Sequence, residues 1–67
     1  MKHTTIKELK KGDYFTLVPV EFAKERQVWI RGDYERSSKK YSVTKWEDIN
    51  HESFMRGDRR VYVDFEF

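Results

Sequence analysis

Gln27-Val28-Trp29-Ile30-Arg31-Gly32-Asp33-Tyr34-Glu35, then Arg36-Ser37-Ser38-Lys39, then Lys40-Tyr41-Ser42-Val43-Thr44-Lys45, reads as two β-strands joined by a tight turn. In the first strand, strict alternation places Val28, Ile30 and Tyr34 on one face. It places Trp29, Arg31, Asp33 and Glu35 on the other. A turn centred between Ser37 and Ser38 pairs Glu35 with Lys40 and Tyr34 with Tyr41. Opposite charges then face each other outside and two phenol rings face each other inside, both favourable cross-strand pairs. Continued without interruption, the same register sets Gly32 against Val43 and Trp29 against Trp46. A glycine opposite a β-branched residue points to a bend or bulge at Gly32. A slip of one residue would send every apolar side chain to the wrong face.

Working outward, Tyr14 to Val18 reads as an earlier strand, with Phe15 and Leu17 on one side and Tyr14 and Thr16 on the other. Pro19 ends it or confines it to an edge. Ahead of it, Ile6 and Leu9 have the spacing of a short helical turn, with Thr5-x-x-Glu8 as a capping box. Val20 to Arg26 is a charged connection. Beyond the hairpin the alternation breaks. Thr44-x-x-Glu47 repeats the capping pattern, and Trp46, Ile49 and Phe54 share a side of a short helix or 3₁₀ turn within residues 45–55. Arg60 to Phe67 is the last strand, with Val61, Val63, Phe65 and Phe67 alternating with Tyr62, Asp64 and Glu66. Leu9-Lys10-Lys11-Gly12-Asp13 and Phe54-Met55-Arg56-Gly57-Asp58 share an order of residue types and read as one turn solution used twice.

The chain has 67 residues, enough for one domain spanning residues 1–67. A domain this small buries only about 60% of the surface its unfolded chain exposes. It has no cysteine, so no disulfide supports it, and His3 and His51 are too few for a structural zinc site. Two Trp, four Tyr and five Phe are what remains to build a core. The expected class is mainly β: a small barrel, or a strongly bent antiparallel sheet of about four or five strands, with one short helical turn. No cofactor is expected. No apolar run is long enough for a signal peptide or a membrane span, so the expectation is a cytoplasmic protein with no membrane partner.

The run from Ile6 to Leu17, an apolar residue, a basic pair, Gly12-Asp13 and then an alternating strand, resembles the first turn and strand of SH3-like small β-barrels. Translation-factor and KOW-type modules are among these. The long bent hairpin and the short helical turn before a final strand are similar in layout. The chain also looks like the short proteins that abound in bacterial genomes and mobile elements, a likeness that implies no activity.

With 14 basic and 12 acidic residues the net charge is +2, and the isoelectric point is near 9.0. The leading functional expectation is an accessory protein that binds single-stranded nucleic acid on a basic, aromatic β-face. Trp29, Arg31, Arg36, Lys39, Lys40 and Tyr62 would form it, because bases stack on rings while Lys and Arg pair with phosphates. Packing competes with this reading, since Trp29 and Trp46 would also form a second small core beneath Ile6 and Leu9. The alternative is a protein-interaction module or homodimer through the C-terminal strand, whose unpaired edge could extend a partner's sheet. An enzyme is not expected. Glu47, Asp48, His51 and Glu52 cluster in sequence, but no nucleophile elbow or phosphate-cradling loop accompanies them. Arg31-Gly32-Asp33 and Arg56-Gly57-Asp58 match an adhesion tripeptide, and bends built on Gly-Asp account for both.

Overall fold

A computed structural model describes residues 2–66. Among these residues the fold is mainly β, with six strands in two antiparallel sheets and only single 3₁₀ turns as helix. Strand β1 is Lys2–Thr5, β2 is Tyr14–Phe15, β3 is Trp29–Glu35, β4 is Lys40–Lys45, β5 is Glu52–Arg56 and β6 is Arg60–Val63. The first sheet pairs β1 with β6; the second has the order β2-β3-β4-β5. The two meet at Thr16, just past β2, where Thr16 and Tyr62 exchange two backbone hydrogen bonds of 2.9 Å. The Thr16 side chain is fully buried, and its hydroxyl is satisfied by donating to the Val18 carbonyl at 2.7 Å.

The hairpin turn sits where the pairing argument puts it. Glu35 opposes Lys40, and Tyr34 opposes Tyr41 with ring centroids 4.9 Å apart. The register then shifts between Arg31 and Tyr34, as the glycine suggested. Three steps along β3, from Tyr34 to Arg31, match two along β4, from Tyr41 to Val43, so Gly32 and Asp33 together face Ser42. The uninterrupted register is thereby corrected: Arg31, not Gly32, opposes Val43, and Trp29 opposes Lys45 rather than Trp46. One extra residue inverts the phase of everything before it. Trp29 and Arg31 turn to the inner face with Tyr41 and Val43, and Ile30 turns outward with Tyr14 and Thr44.

The inversion completes the core. Ile6, Phe15, Trp29, Val43 and Val61 form one buried cluster, with Leu9, Leu17, Tyr41, Met55 and Val63 packed on it. Both sheets contribute, so the apolar face of each is covered by the other. Glycine is required at residue 32 by crowding, because a Cβ there would lie 2.9 Å from the Ser42 carbonyl oxygen.

Other expectations are corrected. Residues 45–55 hold no helix; two successive turns, closed by Asp48 N–H to the Lys45 carbonyl and His51 N–H to the Asp48 carbonyl, lead into β5, which pairs along β4 from Lys40↔Arg56 to Thr44↔Glu52. A strand with an apolar residue at Phe54 and polar Glu52 and Arg56 beside it fits a half-exposed sheet edge, and pairing with β4 overrides the capping pattern at Thr44. The two Gly-Asp segments are not one turn used twice. Asp13 N–H bonds the Lys10 carbonyl, with Gly12 third in the turn at φ +95°. Arg59 N–H bonds the Arg56 carbonyl, with Gly57 second. The last strand stops at Val63 because Asp64 takes a left-handed φ of +66°. The chain then turns to pair with the Glu21–Ala23 segment: Ala23 N–H donates to the Glu66 carbonyl at 2.7 Å and Glu66 N–H to the Glu21 carbonyl at 2.9 Å. Phe67 lies outside the described residues.

Two substitutions test this backbone. Gly32→Val should lower stability by about 1–3 kcal/mol, because a β-branched side chain overpacks the bulge; urea unfolding would show it as a lower midpoint. Lys39 closes the hairpin at φ +56°. Lys39→Gly should raise stability by about 0.5–1 kcal/mol by relieving that left-handed conformation, visible as a higher melting temperature.

Candidate nucleic-acid interface

The six residues singled out from the sequence do not come together. Trp29 lies in the core at 9% exposure. Its ring meets the His51 ring edge-on at 5.7 Å, and the Lys45 ammonium stands 5.4 Å from its centroid. Lys45 also donates to the Arg26 carbonyl at 3.2 Å, which holds it over the indole. Arg31, half-buried, lays its guanidinium over the Tyr41 ring at 4.4 Å, a cation–π geometry. Its Nε is buried with no hydrogen-bond partner. Tyr62 sits on β6 in the other sheet, half-buried. The expected face built on Trp29 and Arg31 is therefore corrected: the bulge turns both side chains inward.

Lys40, Arg36 and Lys39 remain exposed. Arg36 and Lys39 occupy the hairpin loop, and Lys40 opens β4 on the outer face. There Lys40 is flanked by Glu35 on β3 and by Arg56 on β5. Two pairs further along, on the same face, Ser42 opposes Phe54, whose ring is 47% exposed. Lys40, Phe54, Arg56 and Arg59 line an open groove of about 340 Å³ together with Met55 and Asp58. Asp58 takes one hydrogen bond from Arg56 at 3.2 Å. The Glu35 carboxylate is engaged by the backbone N–H and hydroxyl of Ser37 at 3.2 and 2.9 Å. Five cations (Arg36, Lys39, Lys40, Arg56 and Arg59) thus share this end of the hairpin and groove with two carboxylates, Glu35 and Asp58, each already hydrogen-bonded.

Phe54, Arg56 and Arg59 are the residues that sequence reasoning missed. The signal was present: had Glu52 to Arg56 been read as a strand, antiparallel pairing with β4 would have put Arg56 beside Lys40. A second groove, of about 270 Å³, carries Glu21, Asp64 and Glu66 beside Phe22 and Phe65, a charge that repels phosphate.

The acidic cluster Glu47, Asp48, His51 and Glu52 is dispersed in its roles. His51 packs on Trp29, its N–H bonds the Asp48 carbonyl at 2.9 Å, and the Glu52 carboxylate accepts from the Ser42 hydroxyl at 2.7 Å. Among the described residues no group of three or more His, Asp or Glu is placed to hold a metal. Among the described residues no helix is long and apolar enough to cross a membrane.

The inward position of Trp29 has a direct optical test. A Trp46→Phe variant, left with Trp29 alone, should emit at short wavelength and resist quenching by iodide. A Trp29→Phe variant that stays folded should leave Trp46, 37% exposed, readily quenched.

Comparison with protein-family models, with curated proteins and with solved structures returned no match.

Proposed function

We propose that this chain binds single-stranded nucleic acid along the groove lined by Lys40, Phe54, Arg56 and Arg59 and across the hairpin tip. The observation that carries the reading is Phe54, a half-exposed ring flanked by Lys40, Arg56 and Arg59. A base has a π-face of its own and stacks on such a ring whatever its identity, a contribution of about 1–3 kcal/mol. The surrounding cations can pair with phosphates without needing a fixed base sequence. Arg is suited to the task because its planar fork bonds two phosphate oxygens at once. The site keeps Arg36, Lys39 and Lys40 of the expected set, with Phe54, Arg56 and Arg59 in place of Trp29, Arg31 and Tyr62.

We read the two sheets as the halves of an SH3-like small barrel. The Thr16–Tyr62 joint on one side and the Lys7 N–H to Gly57 carbonyl bond of 3.0 Å on the other support that reading.

The test is fluorescence anisotropy with a labelled single-stranded oligonucleotide at several salt concentrations. If three or four phosphates are neutralised, the logarithm of the association constant should fall with the logarithm of salt at a slope of about −2 to −3. Lys40→Glu combined with Arg59→Glu should reduce affinity at least about tenfold at low salt, since two attractions become repulsions. Phe54→Ala should weaken binding by about 1–3 kcal/mol at every salt concentration while leaving the salt slope unchanged. Binding that ignores salt, or that survives both changes, would overturn the proposal.

A further inference from the structure

β6 was the strand expected to offer a free edge; among the described residues β1 lies on one side of it and Thr16 bonds its Tyr62 on the other. The open edges belong to β1 and β5. β1 presents Lys2, His3, Thr4 and Thr5, a polar strand with a lysine, which discourages pairing with another chain. β5 presents Glu52, Ser53, Phe54, Met55 and Arg56.

The backbone of β5 is poised for a neighbour. Lys45 N–H donates to the His51 carbonyl at 3.1 Å, so these two form a hydrogen-bonded pair of the ladder. Alternation makes Val43–Ser53 and Tyr41–Met55 the next hydrogen-bonded pairs. The N–H and C=O of Glu52 and Phe54 then point away from β4. Neither residue has a further backbone hydrogen bond among the described residues.

From this edge we infer a homodimer in which β5 of a second copy pairs antiparallel with β5, the two-fold axis passing through Phe54. In that register Phe54 faces Phe54 of the second copy, and their outward N–H and C=O groups bond reciprocally. Glu52 faces Arg56 of the second copy, and by symmetry Arg56 faces its Glu52. Both charges thus meet the opposite sign on the same side of the sheet as the ring pair. Such a self-complementary patch is what a two-fold interface requires, and opposed ring and charge pairs each favour strand pairing. The two outer sheet faces become one surface, with Lys40 of each copy beside an Arg56 that is paired to Glu52 of the other. The inference rests on the strand edge and its charges, not on nucleic-acid binding.

The experiment is analytical ultracentrifugation of the full chain without nucleic acid, from about 10 μM to about 1 mM, suited to an interface at the small end of the known range. A monomer–dimer equilibrium is expected. Glu52→Lys and Arg56→Glu should each weaken dimerisation about tenfold, since each replaces two symmetry-related attractions by repulsions. The double variant, which re-pairs the charges in the opposite sense, should restore it. Circular dichroism would confirm that each variant keeps its fold. A monomer at every concentration, a dimer indifferent to either single change, or a double variant no better than the singles would overturn the inference. Because the readout contains no oligonucleotide, failure of the nucleic-acid reading leaves this result standing, and the converse holds.

Discussion

The extra residue in β3 is the constraint on which the rest of the molecule depends. A strand alternates strictly, so a strand without interruption would have to send Trp29 to the same side as Glu35. Gly32 and Asp33 share one partner, Ser42, and the alternation restarts in the opposite phase. The C-terminal half of β3 can then show its polar residues at the hairpin tip, while the N-terminal half delivers an indole to the core. In a chain with no disulfide and few aliphatic residues, that indole beside Phe15 and Val43 is a large share of the buried apolar surface. Glycine makes the arrangement affordable in space, since the Ser42 carbonyl leaves no room for a side chain.

The same phase change sorts the charges. Arg31 and Lys45, which alternation alone would leave on different faces, both go inward and lie over rings, the first over Tyr41 and the second over Trp29. Lys11 is held by Asp33 at 3.1 Å, on the bulge itself. The cations left exposed gather at the hairpin tip and along β5, and the carboxylates near them are already hydrogen-bonded. Near-balance of formal charge therefore conceals a local excess. A net value of +2 says little about a surface on which basic and acidic grooves are separate.

Much of this was legible from residues alone. The turn at Ser37-Ser38, the Glu35–Lys40 and Tyr34–Tyr41 pairs, β4 to the residue, and a bulge at Gly32 all follow from alternation and cross-strand chemistry. What was not legible is the consequence of the bulge. A glycine announces that a strand will bend, but whether one residue is added, and so whether Trp29 points in or out, is decided by packing across the other sheet. β5 was hidden for a related reason. Thr44-x-x-Glu47 matches a helix start locally, and only pairing with β4 selects the strand. The C-terminal end of β6 shows the same limit: its alternating apolar residues continue past Val63, yet Asp64 turns the backbone, and the alternation ceases to mean a strand.

The ladder between β1 and β6 joins Lys2 to Val63 and Thr5 to Arg60, so residues far apart along the chain are strand partners. Ile6 follows β1 directly and shares the core with Val61. On the ribosome, the N-terminal segment must therefore wait, unpaired, until the chain beyond Arg60 has left the exit tunnel. Closing so long a loop is entropically slow. During that delay the β3–β4 hairpin, whose contacts are local, is the part able to form first, and the remaining strands assemble around it once β6 has emerged.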